Sequence, residues 1–336
     1  MNTKLRSALL TALAAALLLD RAAAAATRLK IATAAAPDSP WGQLFKLWKK
    51  DVESKTSGAL TFDFYYNSTQ GSEQTMVDKM RAGQLDGAAV TSEGLMKIDR
   101  RLIAIEMPGI VRTWAGVDAL RDKVGPTFAK MLADKKVTMI TDGDVGLNHV
   151  LSNGFAVHVP ADLKGKSPWI SLDDPIVKAM YGRIGGVNPH AQDVMAVLPD
   201  IDNGKINCIG VSALAAEMLQ WSSKFDHGLD TVSGVVVGAV IMQTDVLDKL
   251  PADQRTAVLD AGKSMAGGVK GLKARIRNED DAAWKRFSAR SGVKIHKPSA
   301  DEVKQWETLY KSTRDALRTG GIDPAIVSSL EAAAEK

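Results

Sequence analysis

Tryptophans and hydrogen-bonding side chains, rather than a catalytic constellation, carry the chemistry this sequence offers. Trp169 follows the turn-like run Pro160-Ala161-Asp162-Leu163-Lys164-Gly165-Lys166 and precedes Asp173 and Asp174, while Glu217, Gln220 and Trp221 read as lying on a helix begun by Ser212, with Glu217 and Trp221 four apart on one face. An indole supplies a broad apolar face, a quadrupole that attracts cations, and one donor. Asp174 before Pro175 reads as a helix cap with proline in the first position, and Asp173 is the residue open to a cationic ligand. Trp41, Tyr66, Gln70, Thr91 and Ser92 fall at strand ends or helix starts, where open α/β sheets place ligands; packing and capping are the structural alternatives for each.

Catalytic and metal signatures are missing from the sequence. It has no Gly-x-Ser-x-Gly elbow, paired-glycine fingerprint or His-Glu-x-x-His pair, and the histidines at 149, 158, 190, 227 and 296 show no ligand spacing. Asp200, Asp202 and Asn203 resemble part of a calcium loop, but Gly204 comes one position early and the closing glutamate is absent. Cys208 is the sole cysteine and has no adjacent base. The expectation is a binding protein and not an enzyme, with no cofactor and no metal.

The elements that must position these residues follow from pattern. Lys4 and Arg6 precede the apolar run Ala8 to Leu19, and small residues fill Ala22 to Ala26, so residues 1–26 read as an export signal. That run is too short to span a bilayer, which takes roughly 20 residues, so the expected product is exported, soluble and not itself membrane-spanning. Removing it leaves 40 basic and 38 acidic residues, hence +2, a balance that points to no nucleic-acid partner. The remaining length suggests two domains. Leu29 to Thr33, Leu60 to Tyr66 and Asp86 to Val90 read as strands. Between them lie helices opened by Ser39-Pro40 and by Ser72, the pattern of a parallel sheet covered by helices. A second run of this type spans 166 to 212, and Gly234 to Met242 fits a buried strand. Val258, Ala261, Met265, Val269, Leu272 and Ile276 predict one long helix from Pro251 to about Ser291, and Ser299 with Glu302 forms a capping box.

In order and spacing, several segments resemble the DctP-type solute-binding proteins of TRAP transporters. They are Leu29-Lys30-Ile31-Ala32-Thr33 followed by Pro37; Thr56-Ser57-Gly58-Ala59-Leu60; Gly71-Ser72-Glu73; Met80-Arg81-Ala82-Gly83-Gln84-Leu85-Asp86; Asp162-Leu163-Lys164-Gly165-Lys166; and Asn203-Gly204-Lys205-Ile206-Asn207. The resemblance implies an α/β periplasmic binding protein of two lobes with mixed sheets, crossing strands and a long inter-lobe helix. Lobe I would comprise 27–150 and about 234–275, lobe II 151–233 and about 276–336. It implies a small-molecule ligand between the lobes and TRAP permease subunits as partners.

Against that pattern, Trp169 stands where the family places the arginine that grips a ligand carboxylate. The position of a second arginine aligns at Asn148 or His149, one residue apart, and a polar position falls near Val211 and Ser212. A fork of charged donors suits a carboxylate; an indole does not. Removing one partner of a buried ion pair costs about 3–5 kcal/mol, so a carboxylate would need another anchor, with Lys97, Lys166 and Arg112 as the nearby cations. The expected ligand is uncharged or largely apolar, or a cation held by the ring. A core role for Trp169, an organic-acid receptor with a different anchor, and a carrier or sensor of a hydrophobic molecule acting through another protein are the alternatives.

Overall fold

The computed structural model describes residues 26–267, 271–320 and 322–334; the leader-like residues 1–25, and Val269 of the expected long helix, lie outside them. The chain begins β1 (Thr27–Thr33), α1 (Pro40–Lys55), β2 (Leu60–Tyr65), α2 (Glu73–Arg81), β3 (Gly87–Thr91) and α3 (Ser92–Ile98). Local chemistry sets these boundaries. Ser39 accepts the Gly42 N–H with Pro40 in the first turn, and Ser72 accepts the Thr75 N–H, each satisfying an amide the helix leaves unpaired. A tight turn over Arg100–Glu106 then leads to α4 (Trp114–Ala133) and β4 (Val137–Ser152).

The second half contains β5 (Trp169–Ile170), α5 (Pro175–Ile184), β6 (His190–Ala191), α6 (Val197–Asp202), β7 (Cys208–Ser212), α7 (Ala213–Met218) and β8 (His227–Gln243). It closes with α8 (Thr244–Asp248), α9 (Ala252–Ala266), α10 (Leu272–Ala289), β9 (Lys294–His296), α11 (Ala300–Thr319) and α12 (Pro324–Ala334). The capping box opens α11, and Asp174 caps α5 by accepting the Ile176 and Val177 amides.

A mixed sheet runs β2-β1-β3-β8-β4-β7, with β9 also on β8. β1 lies parallel to β2 and β3, whereas β3 runs antiparallel to the end of β8, from Gly87 opposite Met242 to Thr91 opposite Gly238. β4 and β8 are the crossing strands. They pair antiparallel from Val137–Gln243 in one lobe to Ser152–His227 in the other, where β7 and β9 join them. Their register shifts between Met139 and Thr141, Asp144 and Gly146, and Asn148 and Val150. Such bulges bend a strand without ending it, which lets one ladder serve two lobes.

Apolar residues pack on both faces of the first lobe's sheet. Met76, Met80, Leu102, Leu120 and Ile241 fill one side, and Leu44, Trp48, Phe62, Met242 and Val258 the other, with Trp48 stacked on Phe62 at 4.1 Å. The second lobe is built around Ile209, Trp221, Phe225 and Phe287, beside a group containing Leu163, Tyr181 and Tyr310. α12 packs on α4.

The single helix expected from 251 to 291 is two. α9 ends at Ala266, Gly267 is extended, and α10 starts after Gly271. Gly267 and Gly271, which flank the two helices, explain their ends, because each glycine costs a helix about 1 kcal/mol relative to alanine. α10 is the helix that braces both lobes: Ile276 packs with Leu44 and Phe287 with Trp221. Midway, buried Asp280 accepts the Leu147 N–H of β4 and the Leu214 N–H of α7, both at 2.9 Å. Burial pushes its carboxyl up to about 6.

Candidate ligand-binding site

Between the lobes lies a cavity of about 520 Å³. The end of β1, the loop Asn67–Ser68, the junction of β3 and α3, and the middle of β8 line its first-lobe side. β5, α5, the start of α6's approach at Asp193 to Met195, and the segment Met218 to Trp221 line the other. Three of the non-glycine residues with left-handed φ, Asn67 (55°), Ser68 (53°) and Gln220 (62°), are on this wall. Backbone held in that region costs free energy and is found where surrounding structure fixes a site.

Trp169 is on the wall, partly buried, and its ring meets Trp221 edge-on at 5.3 Å. Its Nε1–H donates to the Gln192 carbonyl at 2.9 Å, so the cavity receives a ring and no donor from it. Trp41 is alike: it lines the cavity while its Nε1–H donates to the Asp144 carbonyl at 3.1 Å. Trp221 is 1 % exposed and forms the back of the wall, and Gln220 sits at its mouth. The short α7 ends at Met218, so Glu217 and Trp221 do not share a helical face; Glu217 instead pairs with Arg286. Thr91 and Ser212 line the cavity as helix caps, accepting from Glu93 and Ala215 amides, and Ser92 also lines it, hydrogen-bonded to the Glu106 carboxyl.

Asn148 and His149 part company because successive strand residues point to opposite faces. Asn148 lines the cavity, with Oδ1 buried and without a hydrogen-bond partner. His149 turns away, stacking on Trp284 at 3.9 Å, and burial pushes its imidazole down to about 4. Tyr66, Gln70 and Asp173 also lie off the wall. Tyr66 stacks on Phe64, Gln70 accepts from Lys79 Nζ, and Asp173 is exposed in the turn after β5 rather than on the strand. Met107, just after Glu106, is buried in the first core.

Among the described residues no lysine, arginine or histidine lines the cavity, yet six carboxyl residues do: Glu73, Glu93, Glu106, Asp144, Asp174 and Asp193. The three cations suggested by sequence are engaged elsewhere, Lys97 with Asp78, Arg112 with Glu307 and Lys166 over the Phe155 ring. Asp144 is neutralised by Arg121 and Arg277. Glu73 Oε2 accepts the Thr91 and Gly94 amides and the Thr91 hydroxyl, stitching α2 to α3. Burial raises Glu73 to about 7 and Glu106 to about 8, and raises Glu93 and Asp174 as well. Cys208, also on the wall, is pushed up to about 12 by burial and is inert as a nucleophile. Sequence reasoning missed Glu93, Glu106 and Asp193, since each also has an ordinary local reading as a first-turn acid, a turn residue or a cap.

The model of the DctP family, bacterial extracellular solute-binding protein family 7, matches residues 31–319. The chain belongs to this family. A solute-binding protein of Verminephrobacter eiseniae is 26% identical over 268 residues, 77% of this chain and 76% of that protein. An extracytoplasmic solute receptor of Bordetella pertussis binding pyroglutamic acid superposes with a TM-score of 0.82 at 18% identity, over 93% of this chain and all (100%) of the other. A TRAP periplasmic solute-binding protein of Sulfurospirillum deleyianum with bound succinate gives 0.81 at 17% identity, over 92% and 100%. The two-lobed fold is therefore that of the TRAP solute receptors. The cavity of this DctP-family member presents aromatic rings and carboxyls and, among the described residues, no cation.

One grouping outside the cavity departs from the sequence reading. His158, His296 and Glu302 converge, with ligand atoms within 4.8 Å of one another and the two imidazoles stacked at 3.8 Å. Glu302 already serves the capping box and accepts from His296 Nε2. Among the described residues no helix is long and apolar enough to cross a membrane.

Proposed function

We propose that this DctP-family protein is the periplasmic receptor of a TRAP-type transporter, that it closes by hinge motion on one small molecule, and that this solute is not an arginine-anchored organic acid. Family membership and the cavity between the lobes support the receptor role. The observation that carries the ligand reading is the wall itself. Trp169 spends its only donor on Gln192, and no cation reaches the cavity from the described residues. A carboxylate entering such a site would lose its water and gain no counter-charge. Delivery to permease subunits in the membrane and the absence of catalysis both belong to this reading.

Native mass spectrometry of the mature protein purified from periplasm, with extraction of any passenger, tests it. A neutral, apolar or cationic passenger at one per chain supports the reading, and a carboxylate passenger overturns the ligand assignment. Co-purification with permease subunits supports transport. Co-purification with an unrelated periplasmic protein alone would instead make the chain a carrier or sensor.

A further inference from the structure

Three of the wall's carboxyls converge from different elements and from both lobes. Glu93 opens α3, Glu106 ends the turn before Met107, and Asp174 caps α5. Asp174 and Glu93 both act on Glu106, and Asp174 and Asp193 both act on Glu93, so the acids of one lobe face those of the other across the cleft. Ion pairs are common elsewhere on this protein. Among the described residues, however, no lysine, arginine or histidine comes within 4.0 Å of Glu73, Glu93, Glu106, Asp174 or Asp193. Closing the lobes therefore crowds acids into a shielded space with no cation of the protein within reach to offset their ionisation, and burial accordingly raises Glu93, Glu106 and Asp174.

Two further polar atoms on the wall are unpaired. Asn148 Oδ1 is a buried acceptor without a donor, and Tyr310, 2 % exposed and on the same wall, has a hydroxyl with no hydrogen-bond partner. Buried polar atoms are nearly always satisfied, so these unpaired positions are ones a bound solute would fill. The indole N–H groups of Trp41 and Trp169 are both given to backbone carbonyls. One oxygen of Glu106 accepts the Val237 N–H at 2.9 Å, and Asp174 Oδ1 accepts its two amides at 2.8 and 3.0 Å, which orients each carboxyl. Among the described residues the cavity's charged groups are thus all acids and, apart from Asp144, have no cation of the protein beside them.

We propose that the solute is a protonated amine on an apolar or aromatic body, its ammonium held by Glu93, Glu106 and Asp174 and its body packed against Trp41 and Trp169. An ammonium brings three donors, no acceptor and a positive charge, the complement of this wall. Its charge also links closure to occupancy: with the amine bound, the acids of the two lobes share a counter-ion, and without it Glu106 keeps its proton. The polarity that the sequence resemblance implies is thereby inverted, with protein supplying the acid and solute the base. The proposal rests on the receptor reading above.

The test is a thermal-shift screen of the mature protein with aryl and alkyl amines, their matching alcohols, their matching carboxylates and their quaternary trimethylammonium analogues. Calorimetry follows on every hit, for wild type, Glu93→Gln and Asp174→Asn. Primary or secondary amines are expected to be the stabilising class. Glu93→Gln, whose fold is checked by its apo melting curve, is expected to weaken them at least about tenfold, the effect of losing one charge-assisted hydrogen bond. Asp174→Asn also tests the cap, so Glu93→Gln decides if Asp174→Asn melts early. Hits confined to alcohols or carboxylates, or amine binding indifferent to Glu93→Gln, overturn the inference and leave the receptor reading standing. Hits from no class count against both.

Discussion

Replacing Glu106 by glutamine should remove much of the protein's loss of stability toward alkaline pH. Glu106 is raised from the ordinary 4.5 to about 8 by burial, with Asp174 and Glu93 facing it and adding to the effect. The folded state thus holds this proton more tightly than the unfolded chain does. Its contribution is fully present below pH 4.5 and is lost as pH rises through about 8. Each pH unit within that window is worth about 1.4 kcal/mol, so by pH 7, where the unfolded chain has ionised and folded Glu106 keeps its proton, the ligand-free protein has lost about 3 kcal/mol of stability. Glutamine keeps an oxygen for the Val237 N–H, which Glu106 accepts at 2.9 Å, and has nothing to ionise. Urea denaturation from pH 5 to 9 measures the difference: the variant should gain on wild type progressively, and the gap should level off above about pH 8. Glu73 and Asp280, raised to about 7 and about 6, ionise in both proteins and largely cancel. Parallel pH profiles would show that the Glu106 carboxyl reaches water freely, and the account of a shielded acidic cavity would fail with it.

Three further outcomes follow from particular contacts. Trp169→Arg should weaken binding of a cationic solute at least about tenfold by calorimetry, because the new guanidinium would pair with the cleft acids; gain of tight organic-acid binding by this single change would refute that. Gly146→Ala should destabilise by about 1–3 kcal/mol in urea, since a methyl there would come within 2.2 Å of the Ser212 side chain and 2.7 Å of Asp280; a neutral result would mean that β4 yields at its bulge. Arg277→Met should cost about 3–5 kcal/mol by leaving Asp118 and the fully buried side of Asp144 short of a partner, and a loss below about 1 kcal/mol would show Arg121 sufficient alone.

Local order was legible where one residue type enforces one geometry. Ser39-Pro40, Ser72 and the Ser299–Glu302 box open helices where their hydrogen-bonding chemistry says they must, and the alternation of Leu60 to Tyr66 gave its strand to within a residue. Trp169 was legible as a departure, and the cavity wall holds it. Periodicity overran Gly267 to Gly271 because Val258, Ala261 and Met265 keep the same stripe up to the glycines, whose cost is conformational and leaves no mark on hydrophobic phase. The choice between Asn148 and His149 turned on strand register, which the pairing of β4 with β7 and β8 settles. Least visible was the acidic character of the cleft. Asp174 is far from Glu93 and Glu106 in sequence, and only the crossing of β4 and β8 with the packing of α5 brings them together.

Because Trp41 and Trp169 share the cavity wall, each with its indole N–H fixed on a carbonyl, the site contains its own optical probe. A solute sliding over these rings exchanges water for an apolar body and a nearby positive charge, both of which alter tryptophan emission. Occupancy can then be followed by intrinsic fluorescence, without a label. A pair of Trp→Phe variants at these positions would separate the signal of the first lobe from that of the second, giving a real-time view of which side meets the solute first.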